Sequence, residues 1–332
     1  MKKIIILGAT GHVGSYLTKY TREYFSADEY EIIASGRRKE APDFEPLGIP
    51  YVSVDISKPE ELEKLPREGV VAVIDLAAVI PAYMDGYHPE QYLQSIIGGT
   101  FNVLEYCRSV NVDRLLFSTS CFDVWEYPKG TVIKPDMSLN YSYTGDHAMY
   151  VICKNTAIEL MRHYNAQYGL KGFVFRFPTI YSYSPNHYIY PNGIKTLRPL
   201  YKCIYNAIEG RPLEIWGDPE YAKDMVHVYD VAQMFCKAIE VENLTWGFYN
   251  AGTGVPVTLR QQMEAIVQVF CPEDTKSEIK VLEDKVAGGG LLMDVQNAKN
   301  ELGYEPQYDV VRLFQDFKEE MSAHRFDDLR GE

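Results

Sequence analysis

A chain of 332 residues with 46% hydrophobic and 24% charged side chains can build one or two domains around a sizeable core, with the balance of an ordinary soluble protein. Its 46 acidic residues against 33 basic ones leave a formal charge of −13, which repels polyanions, so nucleic acid and anionic membrane are excluded as partners. Six scattered cysteines without a CxxC pair exclude a zinc site and a disulfide framework and fit reduced thiols in a cytoplasm, and no apolar run approaches the about 20 residues of a membrane helix.

The chain opens on "MKKIIILGATGHVG", where two lysines before an apolar run imitate a signal peptide, but glycines follow after only four aliphatic residues. It reads as a first strand running into a turn with Gly8, Gly11 and Gly14 at three-residue spacing, before the helix "SYLTKYTREYF". Glycines here let the backbone turn tightly and approach a pyrophosphate whose charge a helix N-terminus attracts. Thr10, His12 and Val13 complete that candidate loop. The second strand ends "IIASGRRKE". Gly36 stands where an acid would bind ribose hydroxyls, and Arg37 and Arg38 follow as partners for a 2′-phosphate, so NADP(H) is expected over NAD(H). Asp55, closing "YVSVD" ahead of Ile56, is placed either beside the adenine or as the cap of its own turn.

Further aliphatic runs, "VVAVIDLAA", "DRLLFSTS" and "LKGFVFRFP", alternate with amphipathic stretches, the two longest helices falling at about 89–110 and 146–168. The alternation predicts an α/β fold, a doubly wound parallel sheet of the Rossmann type with helices on both faces. After Pro178 the texture changes to "TIYSYSPNHYIYPNG", then to helix and short strands, which predicts a smaller C-terminal α/β lobe for substrate. The expected division is 1–178 with 224–252 for the nucleotide-binding domain, and 179–223 with 253–332 for the lobe.

Within the second long helix, "HAMYVICKNTAIELM" sets Lys154 four residues after Tyr150, and no other of the 26 tyrosines has a lysine at that spacing. Residues four apart share a helix face, and an ammonium beside a phenol favours its ionised form. Such a pair is usable as an acid or base near neutrality.

"GATGHVG", "DLAA", "GGTFNVLEYC", "LLFSTS" and "YVICK" come in an order and spacing that resembles the extended short-chain dehydrogenase/reductases, specifically the NAD-dependent epimerase/dehydratase family. The resemblance continues through "EIWGDPEYAKDMVHVYDVA", "FYNAGTG" and "DVQNAKNELGYEP" and covers nearly the whole chain. It implies Tyr150 as general acid/base, Lys154 as the group that lowers the Tyr150 pKa and holds the nicotinamide ribose, and Ser120 as a hydrogen-bond donor to the reacting oxygen, with Ser118 and Thr119 as rivals. It further implies cofactor contacts at Leu76, Ala77, Ala78 and Ser118, a role for Asn102 in steadying the active-site helix, and Pro178 beside the carboxamide. Thr179, Arg198 and Lys223 are the candidate substrate contacts.

Departures from the family pattern narrow the reaction. Cys121 and Phe122 follow Ser120 where dehydratases carry an Asp-Glu pair, which disfavours elimination. Lys223 stands where nucleotide-sugar epimerases place an arginine, with only Lys285 near the second such position, and lysine lacks arginine's bidentate fork. Thr179 replaces an asparagine, and Tyr181, Tyr183, Tyr188 and Tyr190 either stack on substrate or pack in their own lobe. His227 reads as structural. The leading expectation is a homodimeric cytoplasmic epimerase acting on a nucleotide sugar through a keto intermediate. The alternatives are an NADPH-dependent reductase of a keto-sugar or small ketone, and a non-catalytic nucleotide sensor. No metal is expected.

Overall fold

Short apolar runs, aliphatic in the first strands and aromatic in the last, become the strands of one sheet: β1 (Lys2–Leu7), β2 (Tyr30–Gly36), β3 (Tyr51–Ser53), β4 (Val70–Asp75), β5 (Arg114–Ser120), β6 (Lys171–Phe177) and β7 (Trp246–Asn250). This computed structural model describes residues 1–329 apart from Lys276, Ala287 and the side chains of Asn192 and Leu329, so the end of the expected lobe, 330–332, lies outside the described residues. Every neighbouring pair is parallel, in the order β7-β6-β5-β4-β1-β2-β3. Alternate side chains serve opposite faces: Ile4 and Ile6 enter one apolar cluster, Ile5 and Leu7 the other.

Helix α1 (His12–Tyr24) covers the first face. The second is covered by α2, spanning 89–109 with a π-helical stretch at Leu93–Gly98, and by α3 (Ala148–Tyr168). The strand order reverses between β1 and β4, and a crevice opens at the carboxyl ends of such strands.

A separate apolar cluster, with Tyr201, Ile204, Phe270, Phe314 and Phe317 at its centre, holds together α4 (Pro199–Ile208), α6 (Leu259–Phe270) and α8 (Val310–Ser322). Between them in sequence, α5 (Val228–Glu240) and α7 (Gln296–Leu302) pack on the first face of the large sheet. This departs from the expected division, which gave 253–332 wholly to the lobe. Leu291, Met293, Val295, Ala298, Leu302, Tyr304 and Phe326 all join the large sheet's core. The physical reason is a two-residue parallel pairing of Leu292–Met293 with Val132–Ile133, a separate small sheet whose Ile133 and Met293 both sit in the large sheet's core.

Candidate active site

The glycine loop lies at the point of strand reversal. Gly8 has φ +80°, and a side-chain carbon there would come within 2.8 Å of the Ala77 nitrogen, so the loops after β1 and β4 meet at this residue. A carbon on Gly14 would lie 2.1 Å from the Gly8 carbonyl oxygen, which is why α1 can start directly against the strand end. Gly11 is the N-cap of α1 and no side chain caps it, leaving the leading N–H groups for an anion. His12 turns away, its Nε2 lying 2.7 Å from Ser182 Oγ. Burial, helped by the charge of Arg198, depresses its pKa to about 3 and keeps it neutral.

Tyr150 and Lys154 lie on the buried face of α3, at 8% and 2% exposure. Lys154 Nζ donates to the Ser118 carbonyl at 2.8 Å and sits 4.3 Å above the Phe117 ring. Burial lowers its pKa to about 8, against which Asp75 pulls upward. Tyr150 departs from expectation. Burial raises its phenol well above the ordinary value, the neighbouring Cys121, Tyr92 and Asp123 add to the rise, and a hydrogen bond with Ser120 opposes it. The Lys154 ammonium is aimed at the Ser118 carbonyl, and burial outweighs the influences that would favour the Tyr150 phenolate. Ser120 is therefore the hydroxyl that meets Tyr150, while Ser118 offers its carbonyl to Lys154 and Thr119 points to the other face of β5.

Other expected residues fall into place around this centre. Leu76, Ala77 and Ala78 continue β4 into the crevice, the Leu76 N–H donating to the Leu7 carbonyl. Asn102, expected to steady the active-site helix, donates its amide to the Ile56 carbonyl at 2.9 Å and ties α2 to the turn after β3. Asp55 caps that turn, accepting from the Ser57 N–H and hydroxyl at 3.0 and 2.7 Å. Gly36 is buried against Thr10, and Arg37 is exposed. Arg38, expected to read a 2′-phosphate, instead donates through Nη1 to the Asp328 carbonyl at 3.2 Å. Pro178 is half-buried and Thr179 exposed just past β6. Arg198 lies over Tyr201 at 5.6 Å, and Lys223 lies 5.8 Å from the Tyr181 ring. Lys285 is taken by Trp216 at 4.5 Å and Glu214 at 3.5 Å. Tyr181 and Tyr183 are buried in the lobe, whereas Tyr188 is 43% exposed. His227 is fully buried, stacked on Tyr308 and 2.8 Å from Asp316, a structural role.

Two residues of the site escaped sequence reading. Asp75 is buried at the end of β4, accepts from the Ala77 N–H at 3.0 Å, and is raised to about 6 by burial against the pull of Lys154. An acid ending an otherwise aliphatic run needs a partner, and that was its signal. Tyr92 has no exposure and packs edge-on to Tyr150 at 6.0 Å, from the turn before the π-helical stretch.

The model of the NAD dependent epimerase/dehydratase family matches residues 4–252. The chain belongs to that family. Among relatives of this epimerase/dehydratase, an uncharacterized epimerase/dehydratase of Staphylococcus aureus is 22% identical, covering 94% of both chains. A UDP-glucose 4-epimerase of Thermotoga maritima, solved with UDP-glucose, superposes with a TM-score of 0.75 at 20% identity, over 97% of this chain and 99% of that one. A UDP-glucuronic acid 4-epimerase of Bacillus cereus, solved with NAD, does so with a TM-score of 0.74 at 18% identity and the same coverage. These likenesses establish the Rossmann-type fold. Among the described residues no helix is long and apolar enough to cross a membrane.

Proposed function

We propose that this protein is a cytoplasmic nucleotide-sugar epimerase that works through a transient keto-sugar. The observation that carries the reading is the convergence of Ser120, Tyr150 and Lys154 beside the crevice that the glycine loop forms. The loop fits a dinucleotide: Gly8 and Gly14 leave no room for side chains, and the uncapped start of α1 suits a pyrophosphate. When bound, the nicotinamide would supply reversible hydride transfer. As the phenolate Tyr150 would take the proton from the sugar hydroxyl, and as the phenol return it, with the positive charge of a bound nicotinamide and of the Lys154 ammonium favouring ionisation against burial and Ser120 hydrogen-bonded to the same oxygen. Lys154 and Asn102 would position the ribose and the adenosine-side turn, and the burial of Tyr150 would exclude water. Cys121 and Phe122 supply no acid and base for elimination.

For cofactor the reading is NAD(H), against the NADP(H) preference expected from Gly36, Arg37 and Arg38, because Arg38 is already hydrogen-bonded to Asp328. Lys223 and Arg198 are the cations for the substrate phosphates. A homodimer through α2 and α3 accounts for Leu93 and Phe101, each 46% exposed on α2; sedimentation as a monomer at micromolar concentration would remove it. The test of the function is to denature freshly purified protein and identify the nucleotide released, then to assay UDP-hexoses for epimerisation. Near-stoichiometric NAD with epimerisation supports the proposal. An empty protein that reduces ketones with NADPH overturns it for the reductase.

A further inference from the structure

Beyond α8 the chain reverses twice, with His324 at φ 51° and Phe326 at φ 57°. Bulky L-residues adopt this left-handed conformation only where their surroundings impose it. The reversals drop Phe326 into the large domain, where its ring is 5% exposed, edge-on to Tyr16 at 5.1 Å and 6.4 Å from Phe44. The flanking residues are pinned as well. Arg325 Nε donates to Glu320 at 2.8 Å, and the Tyr183 hydroxyl donates to Asp327 Oδ1 at 2.8 Å. Arg38 is held from both ends, its guanidinium donating to the Asp328 carbonyl at 3.2 Å and its own carbonyl accepting from the Tyr51 hydroxyl at 2.9 Å.

Arg38 follows Gly36 by two residues, at the carboxyl end of β2 where a dinucleotide's ribose 2′ position is read. Asp43 lies within electrostatic reach of Arg38, Asp328 and Asp327. Asp43, in the turn after β2, has its pKa raised first by burial and then by the nearby charges of Asp328 and Asp327, with Arg38 opposing. A 2′-phosphate needs a guanidinium with its fork free and a net positive field. A neutral 2′-hydroxyl needs neither.

We propose that segment 324–329 sets cofactor choice: it engages Arg38 and places Asp327 and Asp328 beside it, so that a ribose 2′-hydroxyl is accepted and a 2′-phosphate repelled. This rests on the NAD(H) reading above and gives its physical cause. The specificity determinant of the first domain is thus carried by a segment 290 residues away in sequence.

The test is titration of the full-length protein with NADH and with NADPH, comparing wild type with Asp327→Asn/Asp328→Asn, which keeps both side chains as acceptors but removes their charge. The double variant should bind NADPH about ten-fold more tightly, about 1.4 kcal/mol, with NADH changed less than about two-fold. Adding Arg38→Ala should abolish the gain. In wild type alone, raising the salt concentration should narrow the NADH/NADPH gap by screening the carboxylates, which needs no variant to fold. Wild type that prefers NADPH would overturn the NAD(H) reading itself. Wild type that prefers NADH, with an unchanged ratio in the double variant and no salt dependence, would overturn only the role of the segment. Phe326→Ala weakening both nucleotides equally would likewise make the segment a structural support and not a discriminator.

Discussion

Two buried pairs of opposite charge, Lys154 with Asp75 and Arg176 with Asp123, have every member at 2% exposure or less, yet they are built for different ends. Arg176 is held at several points: Nε lies 3.0 Å from Asp123, Nη1 donates to the Lys134 carbonyl at 3.3 Å and to Asn250 at 3.1 Å, and the guanidinium rests 4.6 Å from the Phe248 ring. A guanidinium keeps its proton in proteins, so this pair holds β6 against its surroundings and cannot change charge. Lys154 has one hydrogen bond to a carbonyl and a pKa lowered by burial to about 8, so it can change charge close to neutrality. Both pairs reach Tyr150, since Asp123 adds to the rise of its pKa, but lysine occupies the pair that can change charge and arginine the pair that cannot.

The comparison is tested most strongly at turnover. Tyr150→Phe keeps the ring packed on Tyr92 but removes the proton carrier, and should lower turnover by about 10²–10⁴-fold while NADH binding changes little. Unchanged turnover would separate the Lys154 neighbourhood from the chemistry. Next in size, Arg176→Met leaves Asp123 buried without its partner and should destabilise the fold by about 3–5 kcal/mol in chemical denaturation. Turnover per folded molecule should be kept. A stability loss under about 1 kcal/mol would mean that Asp123 finds another partner or water.

What could be read from the sequence was what neighbouring residues decide among themselves. Gly8, Gly11 and Gly14, and the Tyr150–Lys154 spacing, are local relations, and six of the seven parallel strands follow from local aliphatic runs, the aromatic Trp246–Asn250 being the exception. Contacts across long separations were not legible. Arg37 and Arg38 suggest a phosphate site because nothing near them in sequence says that the Asp328 carbonyl accepts from Arg38. Nothing in the sequence separates residues 291–304 from the lobe, because a two-residue strand at Leu292–Met293 has no sequence signature. The tyrosines after Pro178 divide between burial and exposure according to the lobe's packing, which a composition rich in tyrosine does not encode.

The smallest expected effect discriminates most closely between the two pairs. Asp75 and Asp123 are both raised to about 6, in each case by burial against the pull of the basic partner. The unfolded carboxyl titrates near ~4, so the folded chain binds the extra proton between these values. The cost of burying each charge is present in full above pH 6 and is relieved as pH falls towards ~4. Wild type should therefore gain stability relative to Asp75→Asn, and equally relative to Asp123→Asn, by about 1.4 kcal/mol per pH unit across that window. The alkaline limb of turnover separates the two variants. Asp75 is the charge that raises the Lys154 pKa, so Asp75→Asn lowers it further below about 8 and moves the alkaline fall in activity to lower pH by a fraction of a unit. Asp123→Asn should leave that limb in place, because Arg176 does not titrate there. A limb that moves in both variants, or in neither, would mean that the charge of Lys154 does not set it, and the distinction between the two pairs would fail.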